Sequence, residues 1–396
     1  MAQRRKPTLT PQEARQLHED ALVIDTQQPP VTTGFLFTEK MKVALDQFVR
    51  QGLSREEAAP PLVDMAAREI KTSEEARRQY MDLWRRSGVT VACGTYSGTA
   101  RMSEAFDLAG RRIAQAYAYM DALGGEMVPV LRAADVERAY REGKRGLILD
   151  FQNTTPYGDD LSRIEYFHNL GVRMVQLTYN LRNLVGDGCT EAHQGGLSYF
   201  GREVVGRLNE LRTLVDVSHC SEQVGWDALK ISKAPIVVSH SSSKAVCYHD
   251  RGKSDELAKA VANSGGYFGV VVLPGFLSTL KEPTLDTFAD HVEHLVDVCG
   301  IDHVGIGTDK AGPGPGTDSL IEYPASMPKR RANSFDWGGF RDEEHRLTPD
   351  YRMNGFQDFG DWPNLTVKLA ERGFNEGELR KLLGLNFLRV FREVVG

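Results

Sequence analysis

Residues 213–243, TLVDVSHCSEQVGWDALKISKAPIVVSHSSS, decide the fold that this sequence predicts. Two apolar runs in this stretch, Leu214–Val217 and Pro235–Val238, have the length of strands and are rich in β-branched residues. Between them, helical spacing predicts a helix over Glu222–Ile231, with Ser221 as its N-cap. The stretch therefore predicts a βαβ unit with two parallel strands.

The dipeptide Ser-His follows both of these strands and gives His219 and His240 corresponding positions. In a parallel α/β barrel the carboxyl ends of the strands face the active-site mouth. Neighbouring strands can therefore offer two imidazoles to one metal ion. The alternative is two separate histidines, each hydrogen-bonded within its own loop. The repetition at matched strand ends favours the shared site.

The rest of the chain continues the alternation of strands and helices. The eight predicted strands are ALVID (21–25), TVAC (90–93), GLILDF (146–151), RMVQLT (173–178), TLVDVS (213–218), PIVVS (235–239), YFGVVVL (267–273) and HVGIG (303–307). A further short strand over 127–131 is predicted to be peripheral. Eight strands alternating with helices is the count of a (β/α)8 TIM barrel.

A single barrel domain over residues 1–396 is predicted, with two additions. Residues 35–88 form a helical insertion after strand one that is expected to cover the barrel mouth. Residues 310–362 are rich in glycine, proline and charge and are predicted as a long loop after strand eight. Helices are predicted at 37–51, 54–70 and 73–86 in the insertion, at 255–263 and 285–299 between the later strands, and at 363–372, 376–382 and 386–394 at the carboxyl end.

The composition argues against nucleic acid or a membrane as the main partner. The 396 residues carry a formal net charge of −6, which is unfavourable for binding either polyanion. No secretory signal and no run of about 18 apolar residues is visible. The five cysteines lack the CxxC spacing of a metal or redox motif, as is typical of free thiols in the cytoplasm. We therefore expect a cytoplasmic protein that acts on a small molecule.

Strand eight ends in VGIGTD, which brings Asp309 to the same mouth as the two histidines. Two imidazoles and a carboxylate suit a metal-dependent hydrolase. In such a site the imidazoles bind the ion, while the carboxylate holds and deprotonates the water molecule that the ion has acidified. The alternative is an aspartate that only caps the following loop.

Four motifs, LVDVSH, APIVVSHSSS, VGIGTD and LLGLNFLRVF, resemble those of the membrane dipeptidase (renal dipeptidase, peptidase M19) family of the amidohydrolase superfamily. The resemblance runs from about Asp25 to the carboxyl end, without the helical region Phe37–Arg86 and the loop after Lys310. It implies an amidohydrolase-like (β/α)8 barrel, often a homodimer, that cleaves dipeptides at a binuclear zinc centre. The membrane anchoring of the animal members is not expected here.

The sequence departs from the family's pattern at the first, third and fourth strands. The family's Asp-Gly-His-x-Asp, which supplies two zinc ligands, is matched by residues 25–29, so Gln27 and Pro29 stand at the ligand positions. The glutamate that bridges both zinc ions is matched by Gln152, and a histidine that contacts substrate is matched by Tyr179. An amide is a poor ligand and proline offers no side-chain donor atom. Because ligands of one of the two zinc ions are missing, the resemblance implies that this protein binds one divalent ion. Zinc is the expected metal.

The ligands of the family's second zinc ion are retained as His219 and His240, and Asp309 is retained beside them. A third ligand is expected from Asp309 or from the carbonyl oxygen of the Gln152 side chain. Asp150 is a further candidate, because it lies two residues before Gln152 and faces the same side of a strand. Its alternative role is an ion pair with an arginine or lysine inside the barrel.

Three residues are predicted to contact substrate. Arg251 matches the family's arginine for the substrate carboxylate, which a guanidinium binds best in a bidentate way. Its alternative role is a surface salt bridge to a neighbouring aspartate. Tyr179 is expected to donate a hydrogen bond to the scissile carbonyl or to its tetrahedral successor. Asn180 begins the loop 180–196 on the mouth side, where substrate contact is expected.

The sequence therefore predicts hydrolysis of an amide bond in a small dipeptide-like or N-acyl amino acid substrate that carries a carboxylate. Two alternatives remain open at this point. One is a lyase or decarboxylase on the same barrel, because the lost ligands belong to the metal centre that the family uses for dipeptide hydrolysis. The other is a metal-free binding protein that has lost catalysis.

Overall fold

The computed structural model describes residues 7, 9–28, 35–97, 102–312, 314, 320–336 and 338–396. The strands are β1 (Ile24–Gln28), β2 (Val91–Thr95), β3 (Met127–Pro129), β4 (Arg145–Phe151), β5 (Val172–Gln176), β6 (Leu214–Asp216), β7 (Val237–Ser241), β8 (Tyr267–Val270) and β9 (Val304–Ile306). Eight of them are neighbours in the order β1-β2-β4-β5-β6-β7-β8-β9, and all of these pairs are parallel. This confirms the predicted (β/α)8 barrel.

The two ends of the sheet meet and nearly close the barrel. The main-chain N–H of Asp309 donates to the Gln27 carbonyl at 2.9 Å. The Thr26 hydroxyl lies deeper and is placed to donate to the carbonyls of Ser239 at 2.6 Å and Ile306 at 3.1 Å. Strand β3 lies off the barrel path and pairs with the first half of β4.

The helices alternate with the strands around the barrel. They are α1 (Pro11–Asp20), α2 (Glu39–Arg50), α3 (Arg55–Thr72), α4 (Glu74–Ser87), α5 (Met102–Ala122), α6 (Ala133–Arg141), α7 (Ser162–Asn169), α8 (Tyr199–Glu210), α9 (Glu222–Ile231), α10 (Asp255–Asn263), α11 (Pro274–Leu277), α12 (Leu285–Cys299), α13 (Trp362–Glu371), α14 (Glu376–Arg380) and α15 (Asn386–Val394). The bounds of α9, α10 and α12 are those predicted from helical spacing. None of the described helices combines the length and the apolar character that crossing a bilayer requires.

The first strand begins and ends later than the apolar pattern predicts. The prediction of 21–25 stops where the polar residues begin, whereas β1 runs from Ile24 to Gln28. The polar residues continue the strand because their backbone stays paired with β2, where Gln28 lies opposite Gly94. Their side chains point into buried surroundings, so the polar end of β1 contributes to the interior of the mouth.

The amino-terminal end of the barrel is closed by the last helix. Phe387 and Phe391 of α15 pack against the first residues of several strands. These strand residues are Ile24, Val91, Leu214, Val237 and Tyr267. Burial of a phenylalanine side chain contributes about 1.5–3 kcal/mol. Helix α15 therefore stabilises one end of the barrel and leaves the carboxyl ends of the strands for a site.

Helices α2, α3 and α4 contact the loop that follows β9. The N–H groups of Arg55 and Glu56, at the start of α3, donate to the carbonyls of Pro328 and Lys329 at 2.8 and 3.1 Å. Ser54 caps α3 by accepting from Glu57 N. Between β9 and the short turn at residues 359–361, the described part of this loop contains no helix or strand. Its conformation is therefore set by contacts with other elements, and α3 provides some of them.

Candidate metal centre

Two histidines and one aspartate meet at the carboxyl ends of β6, β7 and β9. The Nε2 atoms of His219 and His240 lie 2.8 Å apart. The Oδ2 atom of Asp309 lies 3.8 Å from His240 Nε2. All three side chains are at most 2% exposed. His240 belongs to β7 itself, while His219 lies in a turn three residues after β6.

The orientation of His219 is fixed by Asn180. Asn180 Nδ2 donates to the Gly338 carbonyl at 2.6 Å, so the amide oxygen faces His219 Nδ1, at 2.7 Å. An amide oxygen can only accept a hydrogen bond. Nδ1 of His219 therefore carries the proton, and Nε2 presents a lone pair. The ring of Tyr179 stacks on this imidazole with the ring centres 4.2 Å apart.

The orientation of His240 is fixed by a serine and a buried aspartate. The Ser239 hydroxyl donates to Asp216 Oδ2 at 2.6 Å and lies 2.7 Å from His240 Nδ1. A hydroxyl has only one proton to donate. Nδ1 of His240 must therefore be the donor, which leaves a lone pair on Nε2. Asp216 also accepts hydrogen bonds from the main chain and the hydroxyl of Ser218.

The two imidazoles thus direct two unprotonated nitrogens at each other. Burial, reinforced by the positive charge of Arg251, holds the pKa of both His219 and His240 well below the usual value. Two neutral lone pairs at 2.8 Å repel each other unless a cation lies beside them. The donor set of two imidazole nitrogens and a carboxylate oxygen, with each Nδ1–H held by an acceptor, fits a divalent ion such as zinc.

Asp309 stands beside these histidines in a constrained backbone conformation. Its φ angle is 52°, in the left-handed region that aspartate tolerates better than most residues. Burial raises the pKa of Asp309 to about 8; Arg251 acts against this shift and Asp25 adds to it. Such a carboxylate is a stronger base than an exposed one once it is deprotonated.

Gln152 lies next to His240. Its side-chain nitrogen is 3.3 Å from His240 Nε2, and its main-chain N–H donates to the Thr95 hydroxyl at 3.2 Å. The nitrogen and oxygen of an amide group can exchange places by a rotation of the side chain. Gln152 can therefore donate to His240 or turn its oxygen to a bound ion.

Gln27 stands at the position on β1 where the resemblance to the dipeptidase family implies a histidine ligand. Its side-chain amide bonds to its own strand. Its nitrogen donates to the Gln28 carbonyl at 3.1 Å, and its buried oxygen has no hydrogen-bond partner among the described residues. Asp25, one layer deeper, accepts hydrogen bonds from Thr308 and from the Trp362 indole. Pro29 lies outside the described residues.

Asp150 is buried without the partner that either predicted role requires. Neither of its oxygens makes a hydrogen bond of normal geometry with a described residue, although the side chains of Thr95 and Gln27 lie close enough to lower its pKa, and no described arginine or lysine pairs with it. Burial and the charge of Asp216 raise the pKa of Asp150 well above its ordinary value. It does not belong to the group formed by His219, His240 and Asp309.

Arg251 is fully buried and holds the two histidine-bearing segments. Its Nη1 and Nη2 atoms donate to the carbonyls of Ser218 at 2.6 Å and His240 at 3.0 Å. This geometry excludes the alternative of a surface salt bridge. Its Nε–H has no acceptor among the described residues.

Sequence reasoning missed three supports of the centre. The roles of Asn180 and Ser239 as partners of the imidazoles were not predicted, although the repeated Ser-His dipeptide contains the signal for Ser239. Phe340, in the loop after β9, lies with its ring centre 6.3 Å from that of His219. That loop has no periodicity, so no pattern points to Phe340. The structure bonds Asn180 Nδ2 to the Gly338 carbonyl and Asn180 Oδ1 to His219, so this side chain orients the imidazole, and the substrate contact stays a prediction.

Comparison with known proteins identifies the family of the chain. The sequence pattern described as "Membrane dipeptidase (Peptidase family M19)" matches residues 12–324 and 348–395. The chain belongs to the membrane dipeptidase family. This confirms the resemblance seen in the sequence motifs. The family is one of metal-dependent hydrolases, the class that was predicted.

Individual relatives agree with this assignment. Dipeptidase tcpJ of Claviceps purpurea is 30% identical over 280 residues, which are 69% of this chain and 57% of that protein. The chain thus spans a little more than half the length of this relative. An amidohydrolase from Pseudomonas aeruginosa is 28% identical, with a TM-score of 0.70 over 98% of this chain and 99% of that one. The probable dipeptidase PvdM from the same species shares the fold, with 20% identity and a TM-score of 0.71 over 97% of this chain and 98% of that one.

Proposed function

We propose that this protein hydrolyses an amide bond in a small dipeptide-like or N-acyl amino acid substrate, using a single divalent metal ion. The observation that carries the proposal is the pair of unprotonated Nε2 atoms of His219 and His240, 2.8 Å apart beside the buried Asp309 carboxylate. His219 and His240 would hold the ion, with Asp309 or Gln152 as the third ligand. On the β1 side, Gln27 offers no imidazole for a second ion.

The proposed chemistry divides between the ion and the chain. A divalent ion held by His219 and His240 would supply the Lewis acid that polarises the scissile carbonyl and acidifies a water molecule. Asp309 accepts the proton at its carboxylate and later delivers it to the leaving amine. Its Oδ2 atom lies 3.8 Å from His240 Nε2, which supports this role. Asn180 and Ser239 keep both imidazoles in the tautomer that leaves Nε2 free.

Tyr179 is proposed to donate its hydroxyl to the scissile carbonyl or to the tetrahedral species that follows. Its position against His219 supports this role. Burial raises the pKa of Tyr179, so the hydroxyl remains protonated and able to donate. We propose a positioning role for Asn180, acting through His219, in addition to the substrate contact expected from its sequence position.

Arg251 is proposed to bind the substrate carboxylate through its Nε–H. An unsatisfied buried donor costs about 1–3 kcal/mol, which an acceptor on the substrate would recover. Because Nη1 and Nη2 each already donate to a main-chain carbonyl, Arg251 also positions the segments that carry the histidines. Zinc as the metal, the homodimer and the cytoplasmic location stay predictions from the sequence.

Metal analysis combined with a dipeptide screen tests the proposed function. We expect purified protein to retain metal without added zinc and to release amino acids from some dipeptides. His240→Ala should lose both properties. His193→Ala is the matched control, because His193 is exposed in the loop between β5 and α8. Bound metal without hydrolysis would favour a lyase or decarboxylase, and absence of metal would favour a binding protein.

A further inference from the structure

A cavity of about 700 Å³ lies between α3, α5 and the loop after β9. Its wall includes Gly338 and Phe340. The same two residues border the candidate metal centre. The Gly338 carbonyl accepts the hydrogen bond from Asn180, and the Phe340 ring packs against His219 and Tyr179. The cavity therefore adjoins the metal centre and shares a wall with it.

One face of α5 lines this cavity. Glu104, Leu108 and Arg112 are spaced four residues apart, which places them in one row along the helix. Arg111, the neighbour of Arg112 on the same helix, is exposed and does not line the cavity. The chain thus offers two adjacent arginines that differ in their access to the cavity.

The other cations of the described lining are neutralised by partners from the chain. Lys329 pairs with Asp342, Arg330 with Asp336, and Arg331 with Glu57. In contrast, Arg112 makes no hydrogen bond and no ion pair with any described residue. Burial lowers the pKa of Arg112, and no carboxylate offsets this effect.

The acidic residues of the lining do not supply the missing partner. Glu56 and Glu104 are exposed, and neither forms an ion pair with Arg112. Glu104 lies two helical turns away, which is about 12 Å along the axis. Arg112 therefore lines the cavity as a cation that no described carboxylate neutralises, and a planar anion can bind it there through two parallel hydrogen bonds.

We propose that the cavity is a distal substrate subsite in which Arg112 binds a carboxylate, so that preferred substrates carry an acidic side chain in addition to the group bound by Arg251. The proposal rests on the proposed function for the metal centre and names the substrate class of that site. Phe340 forms the boundary between the reacting bond and the distal carboxylate.

The test compares dipeptides that differ only in charge. Ala-Glu is paired with Ala-Gln and Glu-Ala with Gln-Ala, and the ratio of kcat/KM within each pair is measured. We expect a ratio of about ten or more for one pair, since a charge-assisted contact is worth at least a factor of that size. Arg112→Gln should bring this ratio close to one. Arg112→Lys should give an intermediate ratio, because lysine keeps the positive charge but cannot donate two parallel hydrogen bonds to one carboxylate.

Arg111→Gln is the matched control and should keep the ratio of the unmodified protein. Equal rates within both pairs, or an unchanged ratio in Arg112→Gln, would overturn the subsite and leave the proposed hydrolysis standing. If no dipeptide is hydrolysed, the affinity of the purified protein for each of the four dipeptides is measured by calorimetry. The ratio of affinities within each pair then tests the subsite. An acidic preference that depends on Arg112 would support the subsite while the hydrolytic function fails. No such preference would overturn both.

Discussion

The two sides of the barrel mouth differ in how their buried polar atoms are bonded. On the side of β6 and β7, Asn180 and Ser239 engage the Nδ1 atoms of His219 and His240. On the side of β1 and β4, four buried oxygens make no hydrogen bond of normal geometry with a described residue. They are Gln27 Oε1, Gln28 Oε1, Asp150 Oδ1 and Asp150 Oδ2.

This difference supports the proposal that one half of the centre is enough to hold an ion. The side of β6 and β7, called the bonded side below, presents two nitrogen lone pairs in fixed directions before any ion binds. This preorganisation lowers the free-energy cost of binding a metal ion. The described residues of the other side offer no imidazole. The Asp25 carboxylate there is already hydrogen-bonded to Thr308 and Trp362, and the unsatisfied oxygens cost about 1–3 kcal/mol each. We propose that the centre holds one ion, on the side of β6 and β7.

The largest expected effect is the loss of metal from the bonded side. His219→Ala and His240→Ala should each weaken metal binding by about a hundredfold or more, because one of about three ligands is removed. Titration with zinc in competition with a chelator measures this. His193→Ala should bind as tightly as the unmodified protein. Metal binding by His240→Ala at full affinity would exclude the assigned ligands.

The same substitution on the two sides should change stability in opposite directions. Asp216→Val removes the acceptor of four hydrogen bonds from Ser218 and Ser239 and should lower the free energy of unfolding by about 3 kcal/mol. Asp150→Val removes two unpartnered oxygens and should raise it by about 1 kcal/mol. Chemical denaturation of the chelator-treated proteins measures both. A destabilised Asp150→Val would show that this carboxyl group has a partner in solution.

A smaller effect is expected from the residues around the ligands. Asn180→Ala frees the His219 ring and should weaken metal binding about ten- to a hundredfold. Gln27→Ala, on the other side, should leave metal affinity nearly unchanged. Equal losses in the two variants would contradict the asymmetry between the sides.

The smallest effect is a dependence of stability on pH near β7. His291 Nδ1 accepts from Ser243 N at 3.1 Å, just after β7, and burial lowers the pKa of His291 from 6.5 to about 4. The unfolded chain therefore binds a proton first as the pH falls, and stability is lost between about pH 6.5 and pH 4. At pH 6 the loss should be about 1 kcal/mol relative to pH 8. His291→Gln should remove this part of the pH dependence in denaturation curves.

The sequence predicted the barrel because strand and helix periodicity are local. Helices α9, α10 and α12 were predicted with the bounds observed, and the strand-end positions of His219 and His240 followed from the same pattern. Strand β1 was misplaced because its polar half carries no apolar signal. Helix α6 was missed, although its buried residues Ala133, Val136 and Ala139 recur at a helical spacing.

Two supports of the centre could not be predicted, because they join residues far apart in the chain, whereas Ser239 is the direct neighbour of His240. Arg251 contacts the Ser218 carbonyl, and Asn180 contacts Gly338 from a loop without periodicity. That Arg112 has no partner among the described residues depends on how the other charges of the cavity pair with each other. Such pairing is visible only in the three-dimensional structure.

Elemental analysis of the protein purified without added metal tests the central claim most directly. We predict about one equivalent of a divalent ion per chain, because His219 and His240 are the two imidazoles that meet a carboxylate within one group of the described residues. Substituting Gln27→His, Pro29→Asp and Gln152→Glu together should then raise the stoichiometry. Two tightly bound equivalents in the unmodified protein, or none, would contradict the account of a single-ion site.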